Sequence, residues 1–337
     1  MFTNKCNQPS KPIELSINDC LACSGCATTE DEAFVTRQSV NNLLAETKTK
    51  FSFIISPQSK INIFNYFYKS EPSLSLYRQF EGILCSFIQM MFPSSIIIDT
   101  SNTLSFEHII SNDSMIISSE CPATTAYIEK NYHHLIGNLS TVRSTQQLHY
   151  PSMVTVMPCL DKKLENGRDG VNIDYILTTK EFIFFLEAMG FNLQIPAMKV
   201  IDEISISNGS TGIIDLFIID CESVSIAQIK PDYLEYTVIK DGKTYKLARI
   251  YGLKNMIGFL NKSKKNIKLY DYAEVMICPG GCINGPAQVK DQQDEILYEM
   301  IVEEGKSKPR KRLIMESDIK REFSKQKSKA VNYAVEW

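Results

Sequence analysis

The chain has 337 residues, 44% hydrophobic and 22% charged, enough to bury a sizeable core in one large domain or two lobes, which excludes a wholly disordered protein. Its 36 lysines and arginines against 39 aspartates and glutamates leave a net charge of -3, so no global field draws it to nucleic acid or an anionic membrane. The opening MFTNKCNQPSKPIEL lacks the apolar core of a secretion signal, no apolar run nears the ~20 residues of a membrane helix, and the expectation is a soluble intracellular protein. Ten cysteines in a reducing compartment then point to metal rather than to a disulfide framework.

Residues 1–35 are cysteine-rich with little apolar periodicity, as expected of a small cap held by a bound cluster. Cys20, Cys23 and Cys26 form C-x2-C-x2-C, a spacing that turns three thiolates toward one point and matches the opening of ferredoxin cluster runs. Glu30 stands where the next cysteine of such a run would be, so a fourth thiolate must come from elsewhere, and Cys6 lies a short tether upstream. Four thiolates also suit structural zinc, but zinc sites more often use two separated pairs, so a 4Fe-4S cluster is the favoured reading.

From Phe51 onward, short β-branched runs alternate with helical patterns. The runs are FSFIIS at 51–56, SIIID at 95–99, SMIISS at 114–119, MVTVM at 153–157 and AEVMI at 273–277, and they predict parallel strands of an α/β fold. Helical spacing covers Leu74 to Phe92, and Thr178 with Glu181 predicts a capping box.

Three stretches, SSECPATTAYIEK, MPCLDKKLE and VMICPGGCINGP, share one layout: a β run ends, a cysteine with an adjoining proline follows, and a helix or glycine turn begins. Cys121, Cys159, Cys278 and Cys282 should therefore gather at the carboxyl ends of parallel strands, where open α/β sheets bind ligands. Helix N-termini there would favour an anionic cluster; Pro122 suits a first helical turn, and Gly280 and Gly281 allow close backbone approach. Buried inert cysteine is the alternative for any single position and a weak one for all four. Cys85 and Cys221 lack this context and are assigned to packing, and His133 and His134 to packing or surface. Lys162 and Lys163 fit a helix-surface pair, or a cation beside the cluster. The stretch KSKPRKR at 306–312 reads as a solvated linker rather than a nuclear-import signal. The expected organisation is a cluster-binding segment over 1–50, a two-lobed body over 51–300 and a polar tail over 301–337.

These residues resemble the eukaryotic iron-only hydrogenase-like proteins, also called nuclear prelamin A recognition factor-like proteins. INDCLACSGC is similar to their N-terminal cluster motif, and SSECP, MPCLDKKLE and EVMICPGGCINGP to their hydrogenase-type loops, with weaker echoes in VNIDYILTTKEF, SNGSTG and ARIYGLKN. The resemblance spans nearly the whole chain. It implies a two-lobed fold with parallel sheets flanked by helices, one 4Fe-4S cluster between the lobes and another at the N-terminus. It also implies a cytoplasmic role in iron-sulfur protein assembly, passing clusters from a scaffold donor to a targeting complex that loads recipient apoproteins, with nuclear entry left open by the basic stretch. The competing class is a true hydrogenase, since Met157, Lys162, Glu165 and Met276 resemble the di-iron pocket of those enzymes. Against it, Glu120 replaces their proton-relay cysteine, GPAQ from Gly285 replaces their glycine-rich turn, and the long electron-relay array is missing; the expectation is a protein that is not an enzyme. Trp337, the only tryptophan, follows Glu336 as in family members whose ending is thought to engage the targeting complex, so docking through Trp337 is expected.

Overall fold

The computed structural model describes residues 38–46, 50–69, 71–99, 114–141, 144, 146, 152–168, 173–197, 213–218, 221–263, 268–289 and 293–306. Cys6, Cys20, Cys23, Cys26, the SNGSTG stretch and Trp337 lie outside the described residues.

The chain enters the first lobe with the short helix α1 (Val40–Leu44) and then β1 (Ser52–Ile55), all four of whose residues are buried. Burial on both faces is the condition of a central parallel strand and explains why β1 reads as an unbroken apolar run. Helix α2 (Pro57–Tyr68) starts where Ser56 accepts a 3.1 Å bond from the Ser59 N–H with Pro57 in the first turn, and stops at Lys69 in the left-handed region. α3 (Leu74–Met91), capped by Ser73, returns the chain to β2 (Ile96–Asp99). β3 (Ile116–Ser118) and α4 (Pro122–Asn131) belong to the second lobe. The chain then crosses back for β4 (Met153–Met157), α5 (Asp161–Arg168), β5 (Tyr175–Thr178) and α6 (Thr179–Ala188), the last opened by the expected capping box. The first sheet has the order β2-β1-β4-β5 and is parallel throughout.

The second lobe resumes with α7 (Ile213–Ile218), then β6 (Ser223–Lys230), β7 (Tyr233–Lys240) and β8 (Lys243–Tyr251), α8 (Leu253–Ser263) and β9 (Tyr272–Met276). Its sheet order is β3-β9-β8-β7-β6; β9 runs parallel to β3 and β8, while β6, β7 and β8 form an antiparallel meander. The short-run pattern does not flag that meander, although Asp241 and Gly242, both at positive φ, make the Asp-Gly hairpin turn between β7 and β8. The five runs that it does flag are strands.

Helix α9 (Gln293–Lys306) closes the described chain by packing on the first lobe. The buried Asp294 carboxylate accepts from Asn62 at 2.5 Å and Asn65 at 2.6 Å, both on α2, and Glu304 accepts from Arg78 of α3 at 2.6 Å. Each lobe has its own apolar core, around Phe53, Phe64 and Phe182 in the first and Ile117, Ile250 and Phe259 in the second. Among the described residues no helix is long and apolar enough to cross a membrane.

Candidate metal centre between the two lobes

Two sheets supply the cysteines. Cys121 follows β3 and Cys278 and Cys282 follow β9, neighbours in the second sheet, whereas Cys159 follows β4 of the first. The four thiols interact electrostatically with one another across the gap between the lobes.

Each loop is held in a different way. Cys121 is the N-cap residue of α4, with Pro122 in the first turn where its missing N–H costs nothing. Ser119 ties this loop to its neighbour: its hydroxyl accepts from the Cys121 N–H at 3.1 Å and donates to the Val275 carbonyl at 2.5 Å. The third loop turns at Gly280 and Gly281, with φ of 68° and 86°, and continues into a 3-10 turn over Cys282–Asn284. The φ of Gly281 favours glycine whatever the space, and a Cβ there would also crowd the Tyr251 ring at 3.2 Å. The second and third loops meet where Ala287 N–H donates to the Pro158 carbonyl at 3.1 Å, and a Cβ on Gly285 would come within 2.4 Å of that oxygen.

Cys121, Cys159 and Cys278 are buried and Cys282 is partly exposed. Burial pushes all four thiols up, Cys278 to about 12, and the Asp161 carboxylate adds to the rise at Cys121, Cys159 and Cys278. Thiolates in this place therefore need cations against them. Among the described residues no three His, Cys, Asp or Glu side chains converge as ligands of one metal ion. A 4Fe-4S cluster takes each thiolate on a different iron and so accepts a wider set. The donor chemistry, the glycine turn and the opening helix ends fit such a cluster, which when bound would supply the positive iron charge that the buried thiolates lack.

Lys162 and Lys163 are both buried, which corrects the surface-pair reading. Successive residues of a helix point about 100° apart, and the two ammoniums diverge. Lys162 turns to the site, with Glu165 at 3.0 Å and Glu120 at 3.7 Å. Burial opposes its charge, but Glu165 and Glu120 outweigh burial and raise its pKa. The Glu165 carboxylate also accepts from Gln146 at 3.0 Å and from Ser144 at 3.3 Å. Lys163 turns away to Glu181 of the capping box at 2.7 Å and the Gln38 carbonyl at 2.9 Å, and burial lowers its pKa. Met157 and Met276 are buried, and the Met276 sulfur lies 3.7 Å from Cys282 Sγ. Cys85 and Cys221 pack half-buried away from the site, burial raising Cys85 to about 11, while His133 and His134 are exposed.

Sequence reasoning missed Ser119 and Asp161, whose types at a strand end and a helix start gave only a weak signal. It also missed the layer beneath the glycine turn. There the Tyr251 hydroxyl donates to Glu274, which with Asp215 flanks Arg249 at 3.6 and 2.7 Å.

The family described as "Iron only hydrogenase large subunit, C-terminal domain" matches residues 87–286. Similarity extends along 99% of the chain, at 35% identity, to the cytosolic Fe-S cluster assembly factor NAR1 of Encephalitozoon cuniculi, of which 97% is covered. The cytosolic iron-sulfur assembly component 3 of Rattus norvegicus is 27% identical over 88% of this chain and 78% of its own length. Among solved structures, an FeFe-hydrogenase superposes with a TM-score of 0.64 at 17% identity, covering 82% of this chain and 91% of its own. An FeFe-hydrogenase of Chlamydomonas reinhardtii superposes with a TM-score of 0.59, also at 17% identity, over 81% and 88% of the two chains.

Proposed function

Because this chain belongs to the iron-only hydrogenase large-subunit family and matches a cytosolic Fe-S cluster assembly factor end to end, we propose that it works in iron-sulfur protein assembly in the cytosol. The end-to-end match is the observation that carries the reading. Cys121, Cys159, Cys278 and Cys282 hold a 4Fe-4S cluster between the lobes, and Cys6, Cys20, Cys23 and Cys26 hold a second in the cysteine-rich stretch ahead of α1, which itself already packs on the first lobe. The clusters pass from a scaffold donor to apoprotein recipients through a targeting complex, to which the polar tail presents Trp337. Names of the relatives speak for the cytosol and give no support to a nuclear location.

Lys162 serves as a fixed positive charge beside the interlobe thiolates, supported by its burial and by Glu165 and Glu120 holding its proton. Asp161 and Ser119 shape the loops that carry Cys159 and Cys121. Hydrogen turnover is not part of this function; the carboxylate at Glu120, where the enzymes carry a cysteine, supports that view.

The test is iron and acid-labile sulfide content with paramagnetic resonance on protein purified without oxygen, where about eight irons and about eight sulfides are expected of two 4Fe-4S clusters. Stoichiometric zinc without sulfide would overturn the reading. Deleting Trp337 should weaken capture of the targeting complex with iron content and melting temperature unchanged; lost stability with unchanged capture would place the indole in the core instead.

A further inference from the structure

The geometry points to a docking site for an extended, basic segment of a partner polypeptide along the edge of β6 and in the cleft beside it. β6 is the outer strand of its sheet, every residue from Ser223 to Lys230 is exposed, and among the described residues only β7 pairs with it. An edge strand turns alternate N–H and C=O groups outward, and proteins that leave such an edge unused block it with proline, charge or a covering element. β6 has no proline, its one charge is the terminal Lys230, and Val224 and Ile226 are 41% and 56% exposed on one face.

On that face opens a cleft of about 630 Å3, bounded by the meander of the second lobe and by α9 of the first. Its strand wall includes Ile226 and Gln228; its helix wall includes Glu295, Glu299 and Glu303, which four-residue spacing sets in a row along α9. Among the described residues, Asp232 and Asp215 bring the carboxylates lining the cleft to five, against the one guanidinium of Arg249, itself 2.7 Å from Asp215. The cleft is thus acidic on the helix side and apolar on the strand side.

A peptide that adds to β6 as a new strand places every second side chain on the cleft face. Long basic side chains there lay their methylenes over Ile226 and carry their charge toward the α9 carboxylates. An acidic strand meets repulsion in the same place, and a helix makes no use of the open edge. Gly280 and Gly281, the turn between Cys278 and Cys282, also line the cleft, so a docked segment lies against the back of the cysteine site.

The probe is a fluorescein-labelled decapeptide of alternating lysine and valine, titrated by anisotropy with the full chain purified without oxygen. Saturable, salt-sensitive binding is expected. It should weaken about tenfold in the Glu299→Lys/Glu303→Lys double variant, where reversal turns two attractions into two repulsions, and vanish for an alternating glutamate-valine peptide. Both substitutions are at exposed positions, and equal iron content of variant and wild type checks the fold. An alternating lysine-proline peptide of equal charge, unable to pair with β6, should not bind. The proposal fails if the lysine-proline peptide binds as tightly, which reduces the site to charge alone, or if the double variant binds like wild type. It also fails if changing Lys308, Arg310, Lys311 and Arg312 to glutamine tightens binding tenfold, because the cleft's occupant is then this chain's own basic stretch.

Discussion

Gly285→Ala tests the contact on which the interlobe site depends. The backbone at Gly285, φ -59° and ψ 146°, is open to any residue, so only space is at stake. An added Cβ would lie 2.4 Å from the Pro158 carbonyl oxygen, 2.9 Å from Pro158 Cβ and 3.1 Å from the Cys282 carbonyl oxygen. None of these is the free end of a flexible side chain. Relief therefore requires the loops of Cys159 and Cys282 to part by about 1 Å, toward normal contact distance. Overpacking costs about 1–3 kcal/mol and straining the Ala287–Pro158 hydrogen bond about 1 kcal/mol more, hence about 2–4 kcal/mol in all. At roughly 2 °C per kcal/mol for a large domain, melting should fall by about 4–8 °C. Iron content should fall with it, since Pro158 immediately precedes Cys159 and both loops carry cysteines of the proposed cluster site. Gly137→Ala is the control, because a Cβ there meets nothing within 4 Å. Thermal unfolding and iron analysis of the two variants decide the matter: if Gly285→Ala melts with wild type and keeps its iron, the loops are not closely apposed and the packing argument is wrong.

Serine at Cys20, Cys23 or Cys26 should remove about half of the iron and leave a soluble fold, whereas serine at Cys121 or Cys282 should also lower the melting temperature, because metal binding between the lobes is coupled to their packing; equal melting of the two classes would refute this ordering. Glu165→Ala removes the nearer of the two carboxylates beside the buried Lys162 ammonium and leaves the 3.7 Å contact to Glu120; it should cost about 3–5 kcal/mol in urea unfolding, much of it recovered when Lys162→Met is added. Tyr66 is raised to about 12, first by its hydrogen bond to Glu187 and then by burial, so its contribution to stability should be whole below pH 10 and fade as pH rises through about 12. The difference in stability between wild type and Tyr66→Phe, followed across that range, measures it. Protein purified with its clusters should neither evolve nor consume hydrogen with a strong electron donor, as gas chromatography would show; turnover that depends on Lys162 or Met276 would restore the enzyme reading.

β1, β3, β4 and β9 were legible because each is buried on both faces, which writes an unbroken apolar run, whereas β2, at the sheet edge with Ile96 exposed, was legible from its β-branched residues alone. MVTVM coincides with β4, every residue of which is buried. The meander was not legible for the opposite reason: β7 and β8 mix buried with exposed positions, and the eight exposed residues of β6 carry no burial pattern at all. The gathering of Cys121, Cys159, Cys278 and Cys282 could be read from proline and glycine at strand ends, which is local chemistry. That Cys159 stands on a different sheet from the other three could not, because it follows from β1 pairing with β4, about 100 residues along the chain.

Lys163 shows how much a purely local reading can conceal. On the sequence it is the twin of Lys162, yet one helical step turns it to Glu181, already engaged with Thr178 in the capping box that opens α6. The capping box was legible as local structure, and its carboxylate also carries a tertiary load as the counter-ion of a buried lysine. Together with the Gln38 carbonyl, which also accepts from Lys163, that side chain helps fix α5, which opens two residues after Cys159, to the first lobe. The cysteine loop of this lobe is thus braced from behind, while the loops of the second lobe are tied to each other through Ser119 and the β9 strand. A site built this way should respond most to whatever changes the spacing of the lobes, so its integrity is expected to depend on Gly285, whose backbone lies against Pro158, as well as on the cysteines.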